Sequence, residues 1–231
     1  MNNILMPNII QWALILIPMI VSGIIQLSLK HTTEKYSKVY AKRGLTGAEV
    51  AQMMLQQKGI ADVSVVPIEG VLTDHFDPRT KVISLSKGVY YSRSITAVGV
   101  AAHETGHAIQ YAEGYVPIKI RGALVPITNI GTKLAMPIII VGMIFSLPML
   151  IDIGVWGYAL LALFQFVTLP CEFNASSRAL NILKTSYYLD DEEVVEARKV
   201  LTAAALTYVA AFFATAMTLA RLMLLRGNRR D

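Results

Sequence analysis

Uncharged apolar stretches alternate with polar segments along this chain. Four stretches, at 9–29, 134–151, 153–170 and 200–220, contain no lysine, arginine, aspartate or glutamate. They are 18 to 21 residues long, and about 20 apolar residues in an α-helix cross a bilayer core of about 30 Å. The pattern therefore predicts about four transmembrane helices. The middle two are separated only by Asp152, so we expect a helical hairpin with its tip at this residue and the glycines that follow it.

The polar segments carry the signals of a small α+β domain. Thr46 and Glu49 form a capping box that predicts the start of a helix. β-rich residues at 63–68 and alternating apolar and polar residues at 81–86 predict two strands, the second of which is either an edge strand that pairs with a peptide or a strand inside its own sheet. Helical spacing at 94–113 predicts a further helix.

Other local signals concern turns and helix ends. Residues 74–79 have the composition of a turn. Pro170 predicts a helix that begins near Glu172. The acidic run at 190–193 suits the N-terminus of the last helix, because carboxylates are favoured at the positive end of the helix dipole.

Composition supports this division into apolar and polar parts. The chain is 54% hydrophobic and only 16% charged, and all 37 charged residues lie outside the four apolar stretches. About a quarter of the remaining 153 residues are charged, as in an ordinary soluble domain. High apolar content excludes a disordered chain, and a single cysteine excludes a disulfide scaffold.

The basic residues predict the orientation of the chain in a membrane. They cluster after the first apolar stretch and before the second, and none lies at the hairpin tip (Lys30, Lys35, Lys38, Lys42, Arg43, Lys119, Arg121, Lys133). Positive charge favours the cytoplasmic side, so residues 30–133 are expected in the cytoplasm. A last crossing would place the basic tail outside, so either the tail breaks this bias or the last helix is partly buried without crossing (Arg221, Arg226, Arg229, Arg230). Because these charges flank apolar stretches and form no patch interleaved with aromatic residues, nucleic-acid binding is disfavoured.

The sharpest motif is His103-Glu104-Thr105-Gly106-His107, which lies inside the helix predicted at 94–113. Histidines at i and i+4 project from one face of a helix and can hold one metal ion. Glu104 is placed to reach a water molecule on that metal, as the general base of a zinc metallopeptidase does. A catalytic zinc needs a third protein ligand, and the candidates are His31, His75, Asp77 and Glu172.

With these motifs the sequence resembles the YugP-like family of neutral zinc metallopeptidases found in bacterial membranes. The resemblance covers nearly the whole chain, including segments 44–47, 72–79, 101–110, 169–180 and 203–208. The arrangement is also similar to the membrane metallopeptidases of the HtpX heat-shock protease and CAAX prenyl protease type. In that type a distant Glu-x-x-Ala-Asp motif follows the His-Glu-x-x-His motif and supplies the third zinc ligand.

The resemblance implies a gluzincin site with one Zn²⁺ per chain. It implies that His103, His107 and Glu172 are ligands and that Glu104 is the catalytic base. Ser176 stands where the HtpX and CAAX type has an aspartate that steadies a ligand histidine, and a serine is a weaker partner for that purpose. Donors for the developing oxyanion are less defined, and the candidates are His75, Tyr90, Tyr91, Arg178, Tyr187 and Tyr188.

The sequence therefore predicts a mainly α membrane protein with a small α+β zincin-like metallopeptidase domain. The expected parts are an N-terminal anchor helix (1–29), a cytoplasmic zincin-like domain (30–133), a transmembrane hairpin (134–170), a cytoplasmic helix with the third ligand (171–199) and a C-terminal membrane helix with a basic tail (200–231). The expected function is a zinc-dependent endopeptidase of the bacterial cell membrane, a multi-pass protein that cleaves peptides or membrane proteins on the cytoplasmic side. The alternatives are a site-2-type intramembrane protease and a non-catalytic membrane scaffold or chaperone with a metal site.

Overall fold

The computed structural model describes the backbone of residues 2–227 and the side chains of 9–131 and 133–225. Arg229 and Arg230 of the basic tail lie outside the described residues. Seven helices and three strands follow one another along the described chain. They are α1 (Asn2–Tyr36), α2 (Gly47–Gln57), β1 (Ser64–Ile68), β2 (His75–Asp77), β3 (Val82–Ser86), α3 (Lys87–Tyr90), α4 (Ile95–Ala112), α5 (Val116–Ile144), α6 (Pro148–Thr185) and α7 (Asp191–Gly227).

Four of these helices, α1, α5, α6 and α7, are long and apolar enough to cross a membrane. Their candidate spans are Ile9–Tyr36, Val116–Ile144, Pro148–Thr185 and Asp191–Leu225. The predicted fold class, a mainly α membrane protein with a small sheet, is confirmed. The helices are longer than the uncharged stretches, because segments that contain charged residues, at 30–36, 116–133, 171–185 and 191–199, continue the helices beyond the apolar part.

The chain divides into two compact units that each draw on several segments. The first unit contains residues up to Gln26, Ile120–Leu169 and residues from Thr207 onwards. The second unit contains Leu27–Lys119 and Pro170–Leu206. The second unit therefore joins the region of the His-Glu-x-x-His motif to the C-terminal part of α6, although about 60 residues separate them in the sequence.

Within the first unit, the hairpin between α5 and α6 turns earlier than the sequence predicts. The turn lies at residues 145–147, where Ser146 has a φ of 53° and Pro148 begins α6, and proline is favoured in the first turn of a helix. The expectation of a tip at Asp152 is wrong, because this residue lies inside α6. A Cβ on Gly154 would lie 2.2 Å from the Ile139 side chain, so this glycine serves close helix packing and not a turn.

The start of α5 also differs from the expected span. Lys133 was placed before the second apolar stretch, whereas the structure has it inside α5, which begins at Val116. Pro126 and Pro137 both lie within this helix. Neither proline ends α5, and the helix begins 18 residues before the uncharged stretch that starts at residue 134.

The second unit contains a three-stranded sheet of order β1-β3-β2. β3 is parallel to β1, with Ser64 opposite Val82, and antiparallel to β2, with His75 opposite Ser84. β3 is therefore the central strand, so the interpretation of 81–86 as an edge strand for a peptide is wrong. Residues 74–79, which have a turn-like composition, contain β2, a strand too short for its alternation to be visible in the sequence.

The predicted helix starts of the second unit agree well with the structure. Thr46 caps α2, and its capping box with Glu49 is complete. The hydrogen bond of the Thr46 backbone amide to Glu49 is the main reason that the pKa of this carboxyl is lowered. At α7, Asp190 accepts a hydrogen bond from the Glu193 amide while Glu193 accepts one from the Asp190 amide, both at 2.9 Å. The acidic run thus begins the last helix, as its charge predicts.

Candidate metal centre

The helix α4 carries the motif and is the most buried helix of the second unit. Ser94 begins it by accepting a hydrogen bond from the Ala97 amide at 3.2 Å. Residues such as Val98, Ala102 and Ile109 are 0–1% exposed and hold the helix in the core. The position of any side chain on α4 is therefore fixed by packing on several sides.

His103 and His107 lie one turn apart on α4 and face the same way. Their ring centroids are 4.7 Å apart, and the ring planes are at 82° to each other. The side chain of His103 is 14% exposed and that of His107 is 7% exposed. Edge-to-face rings in this orientation can direct one nitrogen each toward a shared point.

Glu172, on α6, completes the group. Its Oε2 atom is 3.2 Å from His103 Nε2 and 3.5 Å from His107 Nε2. The Glu172 side chain is only 1% exposed, and a buried carboxylate is costly unless charged or hydrogen-bonding partners offset its desolvation. The expectation of a helix beginning near Glu172 is wrong: α6 continues through Pro170 without a break, so this glutamate sits within a rigid helix.

The geometry fits a zinc ion. Zinc with four nitrogen and oxygen ligands at about 2.0–2.1 Å places neighbouring ligand atoms about 3.3 Å apart, close to the two distances that Glu172 Oε2 makes. One ligand atom from each of His103, His107 and Glu172 lies within 4.8 Å of the other two, and the described residues contain no other such group of three. Two imidazoles and one carboxylate are ligands that zinc accepts, and three protein ligands leave a position for water.

Gly106 explains how α4 and α6 approach closely enough for these ligands to meet. A Cβ at this position would lie 2.6 Å from the backbone carbonyl oxygen of Ala175, a distance that real Cβ atoms do not adopt. Hydrogen at this position therefore allows the backbone of α6 to lie directly against α4. The glycine inside the motif is a packing requirement of the metal group.

The outer nitrogens of the two imidazoles have partners as well. His103 Nδ1 lies 3.0 Å from Ser176 Oγ. Ser176 therefore contacts a histidine of the metal-capable group, as expected from its position in place of the aspartate of the HtpX and CAAX type. His107 Nδ1 lies 3.0 Å from Gln110 Oε1. Both Nδ1 atoms are thus engaged, and both Nε2 atoms face Glu172. Such partners orient metal-binding histidines.

The motif glutamate, Glu104, lies on α4 directly after the first histidine. It is 9% exposed. The Glu104 carboxylate is therefore largely shielded from bulk water.

The other candidates from the sequence lie apart from this group. His31 is exposed on α1, and His75 and Asp77 are on the short strand β2. None of these three belongs to the metal-capable group found among the described residues. The His75 ring contacts the Thr73 carbonyl oxygen at 2.8 Å.

The tyrosines proposed as oxyanion donors occupy varied positions. Tyr90 and Tyr91 pack edge to face with centroids 4.8 Å apart. Tyr187 follows α6 and is 80% exposed, with a φ of 54°. Tyr188 is 8% exposed and lies beneath the guanidinium of Arg43 at 5.8 Å. None of these contacts involves a residue of the metal-capable group.

Arg178 lies on α6 and contacts three other side chains. Its Nε donates to Asn174 Oδ1 at 2.7 Å, and its Nη1 donates to Glu113. The guanidinium also lies over the Tyr115 ring at 5.8 Å. The hydrogen bond from Arg178 is the main reason that the pKa of the Glu113 carboxyl is lowered, and Lys58 adds to the effect.

Two polar residues near the site, Gln110 and Asn174, were missed in the sequence. Gln110 is fully buried and donates from Nε2 to the Cys171 carbonyl at 2.8 Å and to Asn174 Oδ1 at 2.9 Å. Gln110 lies three residues after His107 on the same helix, and Asn174 lies two residues after Glu172. The sequence shows that Gln110 lies one helical turn after His107, but it does not show that Gln110 contacts Asn174 on α6.

Two histidines and a glutamate that can hold a metal ion, together with four apolar helices, are the features expected of a membrane-associated zinc metallopeptidase. The chain belongs to the family described as "Putative neutral zinc metallopeptidase", which matches residues 11–227. It is 43% identical over 206 residues to a Bacillus subtilis (strain 168) protein called "Putative membrane protease YugP". This similarity covers 89% of the chain and 92% of the relative. No solved structure matches the chain significantly.

The packing of Gly106 gives a first prediction. Gly106→Ala is expected to lower the thermal unfolding midpoint, since overpacking costs about 1–3 kcal/mol, and to weaken zinc binding by pushing α6 and Glu172 away from α4. Gly99→Ala is the matched control on the same helix, because its Cβ would meet only Ala197 at 3.7 Å. Calorimetry and a zinc competition assay measure both effects. Equal zinc affinity in the two variants would contradict the packing role of Gly106.

Proposed function

We propose that this protein is a zinc-dependent endopeptidase of the bacterial cell membrane. The observation that carries the proposal is the convergence of His103, His107 and Glu172 on one point, with Glu104 next to His103 in the same motif. Membership of a zinc metallopeptidase family supports the identity of the metal and a peptide as the substrate class. The three converging side chains would hold one zinc ion per chain.

The reaction adds water across a peptide bond. When bound, zinc polarises the peptide carbonyl and lowers the pKa of water. The Glu104 carboxylate takes a proton from the attacking water, whose oxygen bonds to the carbonyl carbon. Glu104 then delivers that proton to the amide nitrogen as the carbon–nitrogen bond breaks. Burial of Glu104 keeps bulk water from competing for the proton.

The substrates that we propose are peptides or membrane proteins with unfolded segments near the bilayer. The relative's name as a membrane protease and the four apolar helices of this chain support a substrate at the membrane. The described contacts favour no single residue as the hydrogen-bond donor to the oxyanion.

A site-2-type protease, with its motif inside a transmembrane helix, fits less well. The motif helix α4 is not one of the four candidate spans found among the described residues. It is 18 residues long and packs within the second unit together with the sheet. The four apolar helices therefore serve as the membrane part without α4. A scaffold with a metal site but no catalysis is the outcome that the activity measurements below would reveal.

Removal of the metal tests the proposed function. Dialysis of the purified, detergent-solubilised protein against a zinc chelator is expected to abolish cleavage of casein. Addition of stoichiometric zinc, but not of magnesium, is expected to restore it, because magnesium prefers an octahedral oxygen site. Elemental analysis should find about one zinc per chain. Cleavage that survives complete removal of zinc would overturn the proposal, and zinc binding without any cleavage would favour the scaffold.

We further propose that all four apolar helices cross the membrane and that the metal group lies on the cytoplasmic side. The segments 30–115 and 186–190 lie on one side if α5 and α6 each cross once, which agrees with their common membership of the second unit. The lysines at 30–42 support the cytoplasm as that side.

Cysteine labelling tests this orientation. Cys171 is fully buried, so a membrane-impermeant maleimide should leave the wild-type protein unlabelled. In intact cells, Leu147→Cys in the α5–α6 turn is expected to label. Lys184→Cys, near the end of α6, should label only after the membrane is permeabilised. The reverse pattern would contradict the cytoplasmic assignment, and equal labelling of both in intact cells would contradict a crossing by α6.

A further inference from the structure

A continuous chain of hydrogen bonds leads from His107 toward the surface of the second unit. His107 Nδ1 contacts Gln110 Oε1 at 3.0 Å, and Gln110 Nε2 contacts Asn174 Oδ1 at 2.9 Å. Asn174 Oδ1 also accepts from Arg178 Nε at 2.7 Å, and Arg178 pairs with Glu113. This series of hydrogen bonds connects α4 to α6 and starts from the ring nitrogen of His107 that does not face Glu172.

The donors and acceptors in this chain have only one consistent arrangement. A guanidinium has no acceptor atom, so the amide of Asn174 must present its oxygen to Arg178. That oxygen also faces Gln110, which must therefore present its amide nitrogen. The carbonyl oxygen of Cys171, 2.8 Å from the same nitrogen, imposes the same orientation independently. Gln110 is left with its oxygen toward His107.

This polarity fixes the proton on one nitrogen of His107. Gln110 Oε1 can only accept, so His107 Nδ1 must carry a hydrogen and donate it. In the neutral imidazole the other nitrogen, Nε2, then has a free lone pair. Nε2 is the atom that lies 3.5 Å from Glu172 Oε2, so the lone pair points to the position proposed for the metal.

We propose that Gln110, Asn174 and Arg178 are positioning residues that hold His107 in the tautomer required to bind zinc through Nε2. The inference rests on the proposed function, since it assigns these residues to the same metal site. Gln110 acts directly on His107. Asn174 and Arg178 act through Gln110, and Glu113 and Tyr115 fix the guanidinium from the other side.

The two histidines differ in whether their hydrogen-bond partners fix the position of the ring proton. The partner of His103 is the hydroxyl of Ser176, which can either donate or accept. His103 is therefore oriented without a fixed tautomer, whereas the tautomer of His107 is set before any metal arrives. We therefore expect zinc affinity to depend more strongly on the hydrogen-bond partners of His107 than on those of His103.

Zinc affinity in a set of four variants tests the proposal. Gln110→Leu, which fills the buried space without a polar atom, should weaken zinc binding about 10- to 100-fold. Asn174→Leu should weaken it less, roughly 3- to 10-fold, because the Cys171 carbonyl still orients Gln110. Asn174→Asp keeps an oxygen that accepts from Gln110 and Arg178, so it should retain the wild-type affinity. Gln52→Leu, exposed on α2, is the control for a glutamine-to-leucine change.

The Asn174 pair keeps the test decisive if Gln110→Leu fails to fold. Equal zinc affinity in Asn174→Leu and Asn174→Asp would overturn the roles of Asn174 and Arg178. Wild-type affinity in Gln110→Leu would overturn the whole proposal. Affinity is measured against a chelating dye in the intact, detergent-solubilised chain, so the result is independent of peptide cleavage.

A second readout needs no metal. The chain has four histidines, and ¹⁵N labelling of histidine, with His107→Asn for assignment, identifies the ring nitrogens of His107. In metal-free protein, the neutral His107 ring is expected to carry its proton on Nδ1 in the wild type and to shift toward the Nε2–H form in Gln110→Leu. An Nε2–H tautomer in the wild type would refute the proposal even if zinc binding and cleavage were both demonstrated.

Discussion

Glu104→Gln is expected to leave one zinc per chain in place and to reduce peptide cleavage about 10²- to 10⁴-fold, the range that general acid–base catalysis supplies. Glutamine has nearly the same shape as glutamate but cannot take a proton from water. The ligand distances that join Glu172 to His103 and His107 do not involve this side chain. Metal analysis and initial cleavage rates on the same preparation separate the two effects.

The control for this experiment is Glu192→Gln, a glutamate-to-glutamine change at the start of α7. Its side chain is 90% exposed and makes only a 3.9 Å ion pair with Lys42, so activity and zinc content should both remain at wild-type values. Cleavage by Glu104→Gln at the wild-type rate would exclude Glu104 as the base. Loss of zinc together with cleavage would instead indicate a structural role for this carboxylate.

Glu172→Ala should lose both bound zinc and cleavage. It removes one of the three proposed ligands, the carboxylate that lies within 3.5 Å of both the His103 and the His107 Nε2 atoms. We expect zinc affinity to fall by at least about 100-fold, because a tetrahedral site with two protein ligands rarely competes with chelators. Zinc titration followed by elemental analysis measures this loss.

Folding must be checked in the same experiment, since Glu172 is fully buried. Its removal leaves a cavity and takes away the group that lies 3.2 Å from His103 Nε2 and 3.5 Å from His107 Nε2, so the metal-free Glu172→Ala protein should unfold at a lower temperature than the metal-free wild type. Zinc binding is therefore compared at a temperature at which both proteins are folded. Full zinc occupancy in a folded Glu172→Ala protein would contradict the assignment of this glutamate as a ligand.

Local signals in the sequence were sufficient for much of the second unit. The capping residue Thr46 marked the start of α2, because a side chain that accepts a backbone amide hydrogen bond acts within one helical turn. Helical spacing at 94–113 predicted α4. The i and i+4 spacing of His103 and His107 likewise depends only on helical geometry. Such features involve neighbours in the chain, so a sequence is enough to predict them.

Local signals failed where packing between helices decides the outcome. Pro170 did not begin a helix, because α6 continues through it without a break. Glycines after Asp152 were interpreted as a turn, whereas Gly154 allows α6 to pack on α5. Glycine permits both a turn and a close approach, and the sequence does not distinguish them.

The sequence by itself predicted a metal site, since two histidines at i and i+4 with a glutamate between them are the pattern of a zinc-binding helix, and the family resemblance named Glu172 as the third ligand. Only the tertiary structure shows how Glu172 reaches that pair and that Gln110 and Asn174 lie behind His107. The physical reason is distance along the chain. Contacts between residues separated by about 60 positions depend on how closely two helices approach, and here that approach depends on the single missing Cβ of Gly106.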